Sequence, residues 1–162
     1  PGVFFLPDQV MCAGEEGGTG LVGVALRERG VSVVDGVDIS PEMLEQAATK
    51  GVYRHLIEAD LTIGMDVADD TYAAVTSAGT FTHGHLPPEP LRELIRVTMP
   101  GGRCAIGVNA AHFEAREFAA WREAAVDEGL SGPYGLTRRK VYEGSDPSTP
   151  DDMSDIVGFS VR

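Results

Sequence analysis

The 162-residue sequence predicts an α/β fold, an open, doubly wound, mostly parallel seven-stranded sheet with an antiparallel hairpin at its C-terminal edge. Three observations carry that expectation. Short apolar runs rich in β-branched residues alternate with helical stripes as far as residue 129. Glycines or acids stand at the ends of several of those runs. The last two runs are joined only by the polar linker SDPSTPDDMS, with no helix to support a parallel crossover. A sheet of this kind takes its ligand at the carboxyl ends of its strands.

The elements are justified in chain order. Residues 10–13 form an apolar strand that runs into the glycine-rich turn AGEEGGTG. TGLVGVALRERG is a helix, with Leu21, Val24, Ala25 and Leu26 on its stripe and Gly30 as its stop. VSVVDGVDI is short and β-branched, a buried strand. SPEMLEQAATKG carries a full set of helix signals: Ser40 as N-cap, Pro41 at the first helical position, Glu42 near the positive end, and Gly51 after Lys50. VYRHLIEADLT reads as a third strand ending in acid, and TYAAVTSAGTF as a fourth with small residues at its exit. PEPLRELIRVTMPGG is a helix with Leu91, Leu94, Ile95 and Thr98 on one face and a Pro-Gly-Gly stop. RCAIGVN is the fifth strand. FEAREFAAWREAAVDEG is one long amphipathic helix, which assigns Phe113, Phe118 and Trp121 to the core. LTRRKVYEG and DIVGFSVR complete the sheet as the edge pair.

Composition narrows the function. Hydrophobic residues make up 43% and charged residues 23%, the balance of a globular chain, and the length suits one domain over residues 1–162. A formal charge of −12 opposes binding to nucleic-acid phosphates or an anionic membrane, and leaves a small molecule or a basic partner open, with a small-molecule substrate expected. No apolar run is long enough to span a bilayer. PGVFFLP lacks the basic flank and cleavage site of a secretory signal, so the expected location is cytoplasmic. Cys12 and Cys104 lie in strand runs and are expected as buried, reduced thiols. The first residue is Pro rather than Met, which suggests processing or a fragment. Oligomeric state is not legible.

Three strand exits carry residues suited to a cofactor. Gly18 and Gly20 open the first helix, where glycine permits close backbone approach and helix-end amides attract an anionic group. Asp38 ends the second strand, where a carboxylate can accept both hydroxyls of a ribose diol. Asp60 ends the third, where it can accept from the exocyclic amine of a base. GTGLVG, residues 18–23, also fits the dinucleotide pattern G-x-G-x-x-G with Asp38 as the ribose acid. Against a nicotinamide enzyme, that pattern gives Asp60 no part and the chain has no length for a separate substrate domain.

Together, GGTGLVGVALRERG, GVDISPEMLEQA, EADLT and LRELIRVTMPGG resemble a class I S-adenosylmethionine-dependent methyltransferase. The likeness runs from about Val10 to the last strand and is nearest to the small-molecule type that includes the Williams–Beuren-region methyltransferase-like proteins. The resemblance implies a Rossmann-like seven-stranded sheet whose last strand is antiparallel. It implies that the glycine turn, Gly17, Gly18 and Gly20, holds the methionine part of the cofactor. By the same resemblance Asp38 takes the ribose hydroxyls, Ile39 and Met43 pack near ribose and adenine, Asp60 accepts from the adenine amine, and the Leu61 amide faces the ring. The fourth strand's exit, SAGTFTHGH with Ala78, would line the methyl group and the substrate. No metal is implied, and the product cofactor would be S-adenosylhomocysteine.

Two departures qualify this. The family's turn reads Asp-x-Gly-x-Gly-x-Gly. Aligned without gaps, the chain has Gly14 for the acid and Glu16 for the first glycine; with a two-residue insertion, Cys12 replaces the acid and Glu15 and Glu16 bulge out. Glu15 or Glu16 could meet the cofactor's ammonium, yet either would repel its carboxylate by ~1 to 4 kcal/mol at ~4 Å. Weakened binding is expected. The family's N-terminal lid helices are also missing before the first strand, which implies an open site.

The expected function is therefore methyl transfer from S-adenosylmethionine to a small-molecule acceptor, by in-line displacement at the sulfonium methyl. The alternatives are a catalytically disabled copy of the fold and an NAD(P)-dependent oxidoreductase. His83 is the candidate base or substrate contact, because histidine titrates near neutrality and its loop should face the site. His85 and Asn109 are candidate substrate contacts, with His112 on the same rim.

Overall fold

The computed structural model describes residues 9–14, 20–82, 86–140 and 153–162. Among these, seven strands form one sheet: β1 (Gln9–Gly14), β2 (Val33–Asp38), β3 (Leu56–Glu58), β4 (Tyr72–Phe81), β5 (Thr98–Asn109), β6 (Gly135–Lys140) and β7 (Met153–Ser160). The helices are α1 (Leu21–Glu28), α2 (Pro41–Ala48), α3 (Leu91–Arg96), α4 (Ala110–Ala115) and α5 (Phe118–Asp127). Strand order is β3-β2-β1-β4-β5-β7-β6. The first five strands run parallel; β7 is antiparallel to both β5 and β6. The doubly wound sheet with an antiparallel C-terminal edge is thus the observed fold.

Alternation along the strands sorts the core into two layers. Met11 and Ala13 face one side, with Val75, Ile106, Val108 and Phe118. Val10 and Cys12 face the other, with Val31, Val34 and the α1 residues Val22 and Leu26. Both faces of the central strands are buried, so β1 reads as a nearly continuous apolar run, while β2 buries Asp35 and Asp38 among its valines. Strand order reverses between β1 and β4, and the crevice at their carboxyl ends is where ligands bind in sheets of this topology.

Local signals account for α2. The Ser40 hydroxyl accepts from the Met43 amide at 3.3 Å, Pro41 stands in the first turn, and Glu42 is there too. The cap fixes where β2 ends and α2 begins, and so where Asp38 sits.

Three expectations are corrected. The third strand pairs over three residues only, Leu56–Glu58, leaving Asp60 in the following turn rather than at a strand end. The Thr62 amide bonds back to Asp60 and draws the chain out of the sheet. The third helix stops at Arg96, because the Val97 carbonyl takes the Thr71 and Tyr72 amides and Thr98 pairs with Tyr72. The long helix is two: α4 starts directly after β5, and Glu117, with φ 56°, breaks the chain before α5. The break lets Phe118 turn inward, against Phe81 and Phe113 at 5.7 Å each. The sixth strand is described as far as Lys140.

Candidate cofactor site

A cleft opens at the carboxyl edge of the sheet, enclosing about 320 Å³ including its solvent-open part. Its walls are Gly14 from β1, Val37 and Asp38 from β2, Ile39, then Ala59, Asp60 and Leu61 after β3, and Thr80 and Leu86 from β4 and its exit. Four residues expected from the sequence, Asp38, Ile39, Asp60 and Leu61, therefore line one cleft.

Each acid is held in place by its own loop. Asp38 is buried, and its Oδ1 accepts the Ser40 amide at 2.9 Å, fixing the carboxylate at the cleft wall. Asp60 uses Oδ1 for both the Thr62 hydroxyl (2.6 Å) and the Thr62 amide (2.8 Å). Those bonds hold its carboxyl below the usual carboxylate range, so it is ionised at neutral pH. The Ile63 and Gly64 amides both close on the Asp60 carbonyl, while among the described residues no acceptor takes the Leu61 amide. Ile39 is 46% exposed, an apolar side chain standing at the cleft with no core to fill. A ribose and an aromatic base fit this donor and acceptor set: carboxylates for the diol and for an amine, an amide for a ring nitrogen, and apolar walls above and below.

The other expected residues fall variously. Gly20 caps α1 with φ 79°, a left-handed conformation that favours glycine. Met43 lies in the first turn of α2, and Ala78 pairs opposite Gly14 in the β1–β4 ladder. Asn109 is buried, and its Oδ1 accepts the His112 amide as the N-cap of α4. His112 is buried too, its Nε2 at 2.8 Å from the Leu86 carbonyl and its ring against Phe118. It ties one wall of the cleft to α4. Gly17, Gly18, Glu15, Glu16, His83 and His85 lie outside the described residues.

Sequence reasoning named the segment SAGTFTHGH without singling out Thr80, and it missed Leu86. The β4–β5 register slips between Ser77 and Phe81, where Gly79 adopts φ 87°, and the irregularity carries Thr80 to the cleft. The small residues of SAGT were the available signal. Val37 and Ala59 were also missed, though each adjoins a named acid.

The third glycine of GTGLVG has a visible use. A Cβ at Gly23 would come within 2.4 Å of the Tyr53 phenol, and the Gly23 amide donates to the Tyr53 hydroxyl at 3.2 Å. The glycine thus admits a tyrosine, and an amide that a dinucleotide's pyrophosphate would want is already taken.

Fold and site together define a class: a Rossmann-like α/β protein with a cleft at the carboxyl ends of its strands and a reversed seventh strand. The chain belongs to the family described as "Methyltransferase domain", whose model matches residues 17–106. Human methyltransferase-like protein 27 is 41% identical over 88 residues, which are 52% of this chain and 35% of that protein. The match thus spans about a third of that relative's length. Among solved structures, a chain from the complex of the Haloferax volcanii Trm112 methyltransferase activator with a methyltransferase has a TM-score of 0.65 at 21% identity, covering 95% of this chain and 82% of that one. A SAM-dependent methyltransferase from Aquifex aeolicus also has a TM-score of 0.65, at 19% identity, over 94% of this chain and 82% of that one. These likenesses show the same fold.

Proposed function

We propose that this chain, as one domain over residues 1–162, binds S-adenosylmethionine and transfers its methyl group to a small-molecule acceptor. The observation that carries the proposal is the single cleft at the β1–β4 crossover with Asp38 and Asp60 on its walls, in a chain of the methyltransferase domain family. When bound, the cofactor supplies an already activated sulfonium methyl, so the chain needs little acid–base chemistry of its own. Asp38 would hold the ribose hydroxyls. Asp60, through the oxygen Thr62 leaves open, would take the adenine amine, and the Leu61 amide a ring nitrogen. Ile39 and Met43 would cover the adenine and ribose. Gly17, Gly18 and Gly20 would pass close to the methionine end, with Ala78 beside them. His83 would act as base or substrate contact, with His85 and Asn109 toward the acceptor. The charge of −12 supports a small acceptor over a nucleic acid.

Calorimetry with S-adenosylhomocysteine tests the reading. Micromolar binding is expected, and Asp38→Ala should weaken it about 100-fold or more, the loss of two charge-assisted hydrogen bonds. Binding of NAD without S-adenosylhomocysteine would sink the reading. A second reading, a disabled copy of the fold, is favoured by the two glutamates in the turn and by Gly14 or Cys12 where the family has an acid. It predicts that only a variant lacking Glu15 and Glu16 binds.

A further inference from the structure

The strand that leads into the glycine turn ends in Gly14, which has no side chain to hold the turn beyond it. Cys12, two residues earlier, is buried on the α1 face, and burial pushes its thiol up to about 12, so it carries no charge at neutral pH. On the far side of the turn, α1 starts at Gly20 with no side-chain cap and no acid in its first turn. Among the described residues, neither Gly14 nor Gly20 brings a side chain that could support the turn.

Support comes instead from Tyr53, in the connection between α2 and β3. Its ring fills the space three glycines leave. A Cβ at Gly23 would meet it at 2.4 Å, one at Gly36 at 3.2 Å and one at Gly20 at 3.3 Å. Its hydroxyl accepts the Gly23 amide at 3.2 Å, so a distant residue does for α1 what a local N-cap does elsewhere. Tyr53 also lines a small cavity with Cys12 and Val22, which shares Gly14, Val37 and Asp38 with the candidate cofactor cleft. We infer that Tyr53 is a positioning residue for cofactor binding: it sets the start of α1, and with it the exit of the glycine turn, in the place the missing local cap and strand-end acid leave open. The inference rests on the proposed cofactor reading and goes beyond it by naming what holds the turn.

Tyr53→Phe keeps the ring and removes only the acceptor. Three quantities separate positioning from mere packing: S-adenosylhomocysteine affinity, thermal stability, and hydrogen exchange at the Gly23 amide in the ligand-free protein. Leu26→Ala serves as the comparison, since it thins the packing of α1 without touching that amide. Tyr53→Phe should weaken S-adenosylhomocysteine about fivefold and speed Gly23 exchange by a similar factor, the worth of one hydrogen bond. Leu26→Ala should lower the melting temperature more and the affinity less. Unchanged affinity in Tyr53→Phe overturns the inference, whatever the exchange rate. A variant that no longer folds overturns it as well, by making Tyr53 a structural residue. If the unaltered chain takes no S-adenosylhomocysteine, the methyltransferase reading falls on its own, and unaltered Gly23 exchange in Tyr53→Phe would then remove the claim about α1 too.

Discussion

Asp35 sits inside β2, nearly free of solvent, and accepts four hydrogen bonds: two from the Arg54 guanidinium, one from the His55 amide at 3.0 Å and one from the Tyr72 hydroxyl at 3.0 Å. Burial pushes its carboxyl up, but those bonds together outweigh it and hold the group below the ordinary carboxylate value. A lowered folded-state value means that the carboxylate's contribution is complete above the unfolded value of about 3.9 and fades as pH falls through the folded one. Asp35→Asn should therefore cost about 2 kcal/mol at pH 7, by urea denaturation, with the gap to the unaltered chain closing below about pH 4. A gap that stayed constant into acid would show that the cost is steric. The partnership was not legible in the sequence, where VDGVDI offers two acids three residues apart. Asp35 and Asp38 differ only in what the fold brings to them. Asp38 lies at the strand's end, which a sequence can mark; Asp35's partners come from residues 54, 55 and 72, which it cannot.

Elements show the same division between local and distant causes. Helix α2 was readable because Ser40, Pro41 and Glu42 set its start within three residues of one another. The break between α4 and α5 was not. EAREFAAW keeps helical periodicity and contains no glycine or proline, and what divides it is the demand of Phe118 for the space beside Phe81 and Phe113. The cost falls on Glu117, a non-glycine residue at φ 56° and ψ 30°. Glu117→Gly should relieve it and stabilise the protein by about 0.5 to 1 kcal/mol, less whatever the unfolded glycine gains in freedom. The denaturation midpoint would rise at constant slope. A lower midpoint would mean that the glutamate makes a contact worth more than its backbone strain. In the site, Asp38, Ile39, Asp60 and Leu61 could be placed because each follows a strand in the chain. Thr80 could be placed only within the exit segment SAGTFTHGH, since its own position depends on an irregularity between β4 and β5 that only the pairing reveals.

For the whole molecule the question is how a charge of −12 affects stability. Arg54, Arg92, Arg96 and Arg138 are each engaged by carboxylates, so part of the positive charge is locally spent, and the remaining field is acidic. Two effects then oppose each other as pH falls. Self-repulsion weakens toward the isoelectric point near 4.6 and favours the compact state. Against it, the bonded carboxylates, Asp35 and the Arg96-bound Glu93, are lowered in the fold and lose their contribution as they protonate. Repulsion acts over the whole neutral range, while the carboxylate loss begins only below the ordinary carboxylate value. The melting temperature should thus be highest between about pH 5 and pH 6, on the acid side of neutrality. Salt separates the two causes, since it screens exposed charges far more than buried ones. Raising NaCl from about 20 mM to about 500 mM should lift the melting temperature by about 3 °C at pH 7.5 and by less at pH 5. A fall with salt at pH 7.5 would mean that the surface ion pairs outweigh the net repulsion, and the predicted maximum would then move toward neutrality.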